Sequence, residues 1–351
     1  MKPITTVLYV GDITSGTTSE QRARALSSLG LCVTPISPCD FVAPHRYEQF
    51  IRQRLYMAGL PVPYCEPRGL NRAIVEAAQR IKPDVLWIDK GWYIWRETLE
   101  KIAGEANSCL FIGFSADDMV ARHNRSHDFD RHLDLYDAFL TTKSYNVSEL
   151  HAAGCERVIF LPNSFDPYTH RPMVAEHRTQ QFGAPVSFVG TFERARAASL
   201  RKLAEAGIPI RIWGSHWRRW GRPPAGAVVE GRDVVGKDYA RVISESDINL
   251  CFLRKRNRDL QTTRSVEIPA AGGFMLAERT DEHRDLFEEG VEAEFFGSDE
   301  ELIDKCHYYL GHPDQRKTIA QAGRLRCVNS GYDYRSRLAE ALRALDVSVR
   351  P

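Results

Sequence analysis

Short apolar runs alternate with helix-period stretches along the whole chain. TVLYVGD (6–12) reads as a buried strand ending at Gly11, and a helix follows from about Ser19, with Ala23, Leu26 and Leu29 on one face and Gly30 as its stop. CVTPIS (32–37) is the next strand, and residues 46–59 and 69–81 carry helical spacing. VLWID (85–89), CLFIGFS (109–115), FLTT (139–142) and VIFLPN (158–163) are strands, interleaved with the helical TLEKIAGEA and VSELHAAG. The pattern then restarts. VSFVGTF (186–192), PIRIWG (209–214), DINLCFL (247–253), FMLAE (274–278) and EAEFFGS (292–298) read as strands. Helices are expected at 198–207, in DYARVISES, from Glu267, in DEHRDLFEEG and at 299–311. Such alternation needs crossover connections and therefore parallel sheets. The proline-rich, polar stretch 166–184 is the expected linker. The predicted architecture is α/β: a parallel-sheet domain over 1–165, a second over 185–330, and a helix in 331–351 packing back on the first. Two such domains suggest a cleft, with ligands outside the carboxyl ends of the strands.

At 351 residues the chain is long enough for two domains of about 150 residues each. A net charge of +1 supplies no global attraction to nucleic acid or to an anionic membrane. Eight cysteines occur without a C-x-x-C pair, which suits neither a zinc site nor a dense disulfide framework and points to a reducing compartment. The opening MKPITTVLYVGD runs straight into a strand pattern, and no stretch is apolar enough to span a bilayer, so a cytoplasmic location is expected. The histidines show no zinc-protease spacing, and no G-x-S-x-G elbow appears, which removes two hydrolase classes.

The richest chemistry lies in TTRSVEIPAAGGFML (262–276). Asp259 stands before it, so two carboxylates, Asp259 and Glu267, bracket the loop with seven residues between them. Ser265 can cap a helix beginning at Val266, which would place Pro269 fourth, where its missing N–H costs no helical bond. The amides of Val266 and Glu267 would then be free and form an anion site, with Arg264 beside them. An earlier helix start would instead make Pro269 a kink. The Glu267 carboxylate suits two vicinal ribose hydroxyls. Equally, Glu267 could be a plain first-turn acid and Gly272-Gly273 a tight turn. Gly190 closes the strand VSFVG and is followed by Arg194 and Arg196, which either bind a pyrophosphate or are solvated beyond a surface turn. Gly11 opens GDITSGTTS, a glycine and hydroxyl loop without G-x-G-x-x-G or Walker spacing, compatible with a simple turn. Asp117-Asp118 and Lys90-Gly91 follow strands at their carboxyl ends, where a carboxylate could act as base or orient an acceptor hydroxyl. The aspartates could equally cap a helix, and no third ligand is placed beside them for a metal.

Residues 262–323, from TTRSVEIPAAGG to TIAQAG, resemble the carboxyl-terminal domain of CgeB-like glycosyltransferases, the spore-maturation protein family. LYVGDITSGTTSEQRARALSSLG and LTTKSYNVSELHAAGCERVIFLPNSFDP resemble the opening and the last crossover of their first domain. The resemblance implies the GT-B fold, two Rossmann-like domains, with a nucleotide sugar held mainly by the second. It implies sugar transfer from a nucleoside diphosphate, most readily UDP, to a hydroxyl acceptor, with retention and without a metal or other cofactor. Glu267 matches the second of two glutamates that mark related retaining enzymes, implying ribose binding; Asp259 replaces the first. Gly190 matches the glycine opposite the phosphates. Thr191 stands where related enzymes often have an arginine, so phosphate pairing is expected from Arg264, with Arg196 or Arg194. Gly11, Ser265 and Val266 complete the expected donor site, Asp117, Asp118 and Asp259 the expected reaction centre, and Lys90 the acceptor side. A non-catalytic assembly protein of spore or envelope, or a sugar-nucleotide epimerase, are the alternatives. The acceptor and the oligomeric state are not legible.

Overall fold

The computed structural model describes residues 2–105, 109–173 and 181–349. Residues 174–180 of the expected linker and 350–351 of the expected C-terminal segment lie outside them. The chain forms two compact units, one of Met1–Pro162 with Tyr334–Pro351 and one of Asn163–Asp333.

In the first unit the strands are β1 (Lys2–Ile4), β2 (Thr6–Val10), β3 (Cys32–Ile36), β4 (Val85–Asp89), β5 (Leu110–Ser115), β6 (Ala138–Thr141) and β7 (Val158–Phe160). Six of them make one sheet in the order β3-β2-β4-β5-β6-β7, with every neighbouring pair parallel. Both faces are covered, so the strands read as continuous apolar runs. Leu8, Leu86, Ile88 and Phe139 enter one core, and Val7, Tyr9, Trp87 and Phe114 the other. Tyr334 and Leu338, from the helix Tyr334–Ala344, complete the second core.

The second unit contains β8 (Val186–Val189), β9 (Ile210–Trp213), β10 (Ala227–Val229), β11 (Ile248–Cys251), β12 (Met275–Glu278) and β13 (Glu294–Phe296). Their order is β10-β9-β8-β11-β12-β13, again wholly parallel. This is the doubly wound order of dinucleotide-binding sheets, whose topological switch lies between the first strand and its neighbour on the far side. Here that point is between β8 and β11. In the first unit it is between β2 and β4.

The sequence pattern missed three things. β10 is a three-residue, half-exposed edge strand, too short to show a period. A last strand, β14 (Val347–Val349), pairs in parallel with β1 to make a two-stranded ribbon of the first and last residues. The expected linker is built into the second unit: Phe182 and Ala184 are buried in its core with Phe165, and Phe165 bridges Asp333. Proline content marked that stretch as a connection, but its apolar residues anchor it.

Candidate functional site

The second unit gathers its candidate residues at the end of β8. Gly190 N donates to Trp213 O at 2.9 Å, and Gly190 O accepts from Trp217 Nε1 at 2.8 Å, which ties the loops after β8 and β9 together. The approach is close enough that a Cβ on Gly214 would lie 2.1 Å from Gly190 O, so the loop after β9 needs glycine there. Arg264 reaches the same spot. Its Nε donates to Val189 O at 2.6 Å, and its Nη1 reaches Thr262 Oγ1 at 3.4 Å. A Cβ on Gly190 would meet the Phe188 ring at 2.8 Å and stand 3.4 Å from Arg264 Nη2, so the glycine packs on Phe188 beside the guanidinium.

Arg196 comes from the helix Arg194–Glu205 that follows β8. It is 3% exposed, and its Nη1 and Nη2 donate to Thr191 O and Phe252 O at 3.2 and 3.3 Å. Its Nε has no hydrogen-bond partner among the described residues. Burial, with Arg264 nearby, pulls its pKa down to about 10. Glu193 Oε1 is the carboxylate near it, at 3.9 Å, and also faces Arg254 Nε at 3.5 Å. Among the described residues Arg264 pairs with no carboxylate. Arg196 therefore lies near two further guanidinium groups, Arg264 and Arg254, with the partly exposed Glu193 close to Arg196 and Arg254. Arg194 is exposed on the first turn of its helix and makes no ion pair among the described residues. Beyond Arg196, a pocket of about 240 Å³ opens at the ends of β11, β12 and β13, lined by Phe252, Lys255, Glu278 and Arg279 among others.

The helix bearing Glu267 runs from Arg264 to Ala270, two residues earlier than the predicted start. Thr263 already has helical dihedrals (φ −55°, ψ −36°), so the first turn closes before Ser265. The expectation of free amides at Val266 and Glu267 is thereby overturned. Both donate to Thr263 O, at 3.1 and 2.9 Å, and Ser265 N donates to Thr262 O at 2.9 Å. Ser265 is not the helix cap. Its hydroxyl accepts from Thr262 N at 3.0 Å and meets His283 Nε2 at 2.7 Å, fully buried. Val266 is also fully buried. Pro269 now lies inside the helix, one residue before its end, where its missing N–H removes the helical bond to the Ser265 carbonyl.

Glu267 is 6% exposed and held from two sides. Tyr239 OH donates to its Oε2 at 3.1 Å, and His170 Nε2 lies 3.6 Å from its Oε1. Burial, then the nearby Glu267 charge, raises the Tyr239 pKa well above normal, which keeps the phenol a neutral donor. Tyr239 and His170 carried no signal in the sequence, because neither is near Glu267 along the chain. Asp259 is 7% exposed and folded into its own loop: Oδ1 accepts from Asn257 Nδ2 at 2.7 Å, and Oδ2 from Arg254 N at 3.3 Å.

In the first unit Gly11 follows β2, but its missing side chain leaves no cradle. A Cβ there would meet Ser19 Oγ at 2.5 Å and the Tyr9 ring at 2.8 Å. Lys90, after β4, adopts φ +64°, unusual for a residue with a side chain. Lys90 Nζ pairs with Asp117 Oδ2 at 2.5 Å and lies 4.7 Å from the centre of the Trp92 ring. The Gly91 carbonyl beside it meets the Nε2 of the fully buried His132 at 3.1 Å. The two aspartates differ. Asp117 reaches the surface in part, whereas Asp118 is fully buried and its Oδ1 accepts from Val120 N, Ala121 N and Asn146 Nδ2. Among the described residues no group of three or more His, Cys, Asp or Glu side chains is placed to hold a metal, and no helix is long and apolar enough to cross a membrane.

Residues 194–343 match the family model described as glycosyl transferase-like. No curated protein matches the sequence. Solved structures match over nearly the whole chain. Sucrose-phosphate synthase from Thermosynechococcus elongatus is similar at 14% identity and a TM-score of 0.61, covering 97% of this chain and 99% of that one. Anabaena HepE in complex with UDP and glucose is similar at 12% identity and a TM-score of 0.61, covering 97% and 100%. A glycosyltransferase from Rickettsia africae is similar at 12% identity and a TM-score of 0.60, covering 98% of each. Residues 194–343 thus match a glycosyl transferase-like family, and the chain as a whole has the GT-B fold of two Rossmann-like parallel-sheet units.

Proposed function

We propose that the second unit binds a nucleoside diphosphate sugar, UDP-linked, and that the enzyme transfers the sugar to a hydroxyl acceptor with retention and without a metal. The observation that carries this reading is the Arg264 guanidinium, set against Gly190 at the switch between β8 and β11 and paired with no carboxylate among the described residues. A diphosphate gains negative charge as the bond to the sugar breaks, and donors already oriented in a poorly hydrated site stabilise that charge most. Arg264 supplies such a donor at the surface. Arg196 adds positive potential from beneath, and an incoming anion relieves the repulsion between them. Glu267 accepts the two ribose hydroxyls, oriented by Tyr239 and His170. Asp259, with both oxygens already used inside its loop, shapes the sugar end of the site. Lys90 and Asp117 act on the acceptor side, and Asp118 holds the turn that presents them. One feature supports the donor class, since HepE is a similarly folded protein whose structure holds UDP and glucose; retention is the expectation that the CgeB-like resemblance carries.

Calorimetry with UDP, followed by a screen of UDP-sugars for slow hydrolysis, tests the proposal. Glu267→Ala should weaken UDP binding by roughly tenfold, the value of one charge-assisted hydrogen-bond pair. Folded protein that binds no UDP would remove the donor assignment. Unchanged binding by the Glu267 variant would remove its ribose role. Binding without hydrolysis of any UDP-sugar would favour a non-catalytic module, and conversion of the donor without an acceptor would favour an epimerase.

A further inference from the structure

The helix Arg46–Met57 of the first unit is turned inside out. Its inward residues are polar. Gln49 Oε1 accepts from Cys65 N at 2.9 Å, Arg52 Nη1 donates to Pro63 O at 3.3 Å, and the buried Tyr56 donates its hydroxyl to Asp130 Oδ2 at 2.7 Å. Its outward residues are apolar: Tyr47 is 68% exposed, Phe50 52%, Ile51 39% and Leu55 37%. These positions follow i, i+3, i+4 and i+8, a single stripe along the helix. The flanking loops add Val42 and Leu60, 68% and 49% exposed. A surface helix ordinarily hides such a stripe, and a contiguous exposed one marks a contact surface.

Charge identifies the occupant. Residues 42–68 hold four arginines, Arg46, Arg52, Arg54 and Arg68, against two glutamates, Glu48 and Glu66, whereas the whole chain is only +1. Arg52 neutralises Glu48 at 2.9 Å. Glu66 is turned onto Asn71, whose backbone N donates to it at 3.0 Å. Arg46 and Arg54 border the apolar stripe without an acidic partner among the described residues, and the Arg54 guanidinium lies 5.3 Å from the centre of the Phe50 ring. A second copy of this surface would bring like charges together. An apolar stripe of aromatic and aliphatic residues with a cationic border is the composition of a helix lying in the head-group layer of a bilayer. We propose that the helix Arg46–Met57 docks this unit on an anionic lipid surface, with Tyr47, Phe50, Ile51 and Leu55 entering the acyl boundary and Arg46 and Arg54 meeting lipid phosphates.

The test is sedimentation of the full-length protein with vesicles of phosphatidylcholine alone and with added phosphatidylglycerol. Anionic vesicles should retain roughly thirtyfold more protein, as expected for two arginines near a charged surface, and added salt should remove the excess. Phe50→Ser/Ile51→Ser should lose binding to both vesicles while keeping its circular dichroism and melting temperature, because it alters exposed groups only. Arg46→Glu/Arg54→Glu should lose the preference for the anionic lipid. Absence of vesicle binding by the unmodified protein overturns the proposal, as does undiminished binding by the serine variant. A concentration-dependent dimer that the serine variant abolishes also overturns it, assigning the stripe to a second copy. UDP binding by the variants is a separate measurement, so failure here leaves the donor site untouched.

Discussion

Each unit is built on a six-stranded parallel sheet, in a different strand order, and the two contrast most at the switch point of each sheet. In the first unit that point is closed by the protein's own charges. Asp89, the last residue of β4, pairs with Arg22 at 2.5 Å and accepts from Tyr9 OH and Trp87 Nε1, both at 3.0 Å. Both charged partners are almost fully buried. Burial works against the Arg22 charge, and Asp89 beside it more than reverses this, raising its pKa. In the second unit Gly190, Arg196 and Arg264 occupy the switch, and the positive charge exceeds what Glu193 supplies. One sheet satisfies its ions internally; at the other, Arg264 pairs with no carboxylate among the described residues. A parallel sheet thus carries a buried ion pair at its switch point in one unit and clustered guanidinium groups in the other, and the proposed donor site rests on that charge rather than on the fold.

The contrast can be broken at its strongest point. Asp89→Ala should destabilise the first unit by about 3–5 kcal/mol, because it strands the Arg22 cation in a buried site. Urea unfolding would measure this, and UDP affinity should be unchanged. A comparable loss of UDP affinity would mean that the first switch point also serves the donor.

A second test uses one fully buried histidine from each unit. His132 is fully buried, and desolvation lowers its pKa to about 4. His283, against Ser265, is lowered for the same reason. A histidine kept neutral contributes fully above its ordinary pKa and loses that contribution as pH falls through the folded value. Stability should therefore decline from about pH 6.5 to pH 4, by up to about 3 kcal/mol for His132. Thermal unfolding across this range should show a shallower slope in His132→Gln. An unchanged slope would assign the loss to other groups.

The smallest expected effect belongs to the ligand site. Arg264→Met should weaken UDP binding by about 2 kcal/mol, since it removes a charge-assisted contact to phosphate, while leaving the urea midpoint nearly unchanged. Calorimetry and urea titration together decide it. A large stability loss with intact UDP binding would make Arg264 a clamp on Val189 O rather than a ligand residue.

Much of this was legible in the chain. Runs such as VLWID and DINLCFL could only be strands covered on both faces, and their alternation with helices required parallel sheets. Gly190 and Arg264 were picked out by their places after a strand and before a helix, and the structure brings them together. The start of the Glu267 helix was misjudged, because whether Ser265 caps or turns inward depends on His283, which arrives from another helix. The two adjacent aspartates looked equivalent; the amides of Val120 and Ala121 and the amide group of Asn146 separate them.

Local spacing, read from the sequence alone, was enough for the element types, the two parallel sheets and the short list of charged candidates, because backbone geometry and the burial of apolar faces act over a few residues. Only the tertiary structure decided which charges are cancelled. Arg22 and Asp89 are distant in the chain and adjacent in space, while Arg264 reaches Val189 and meets no acid among the described residues. Coulomb and desolvation energies depend on that proximity in three dimensions, and no periodicity along the chain encodes it.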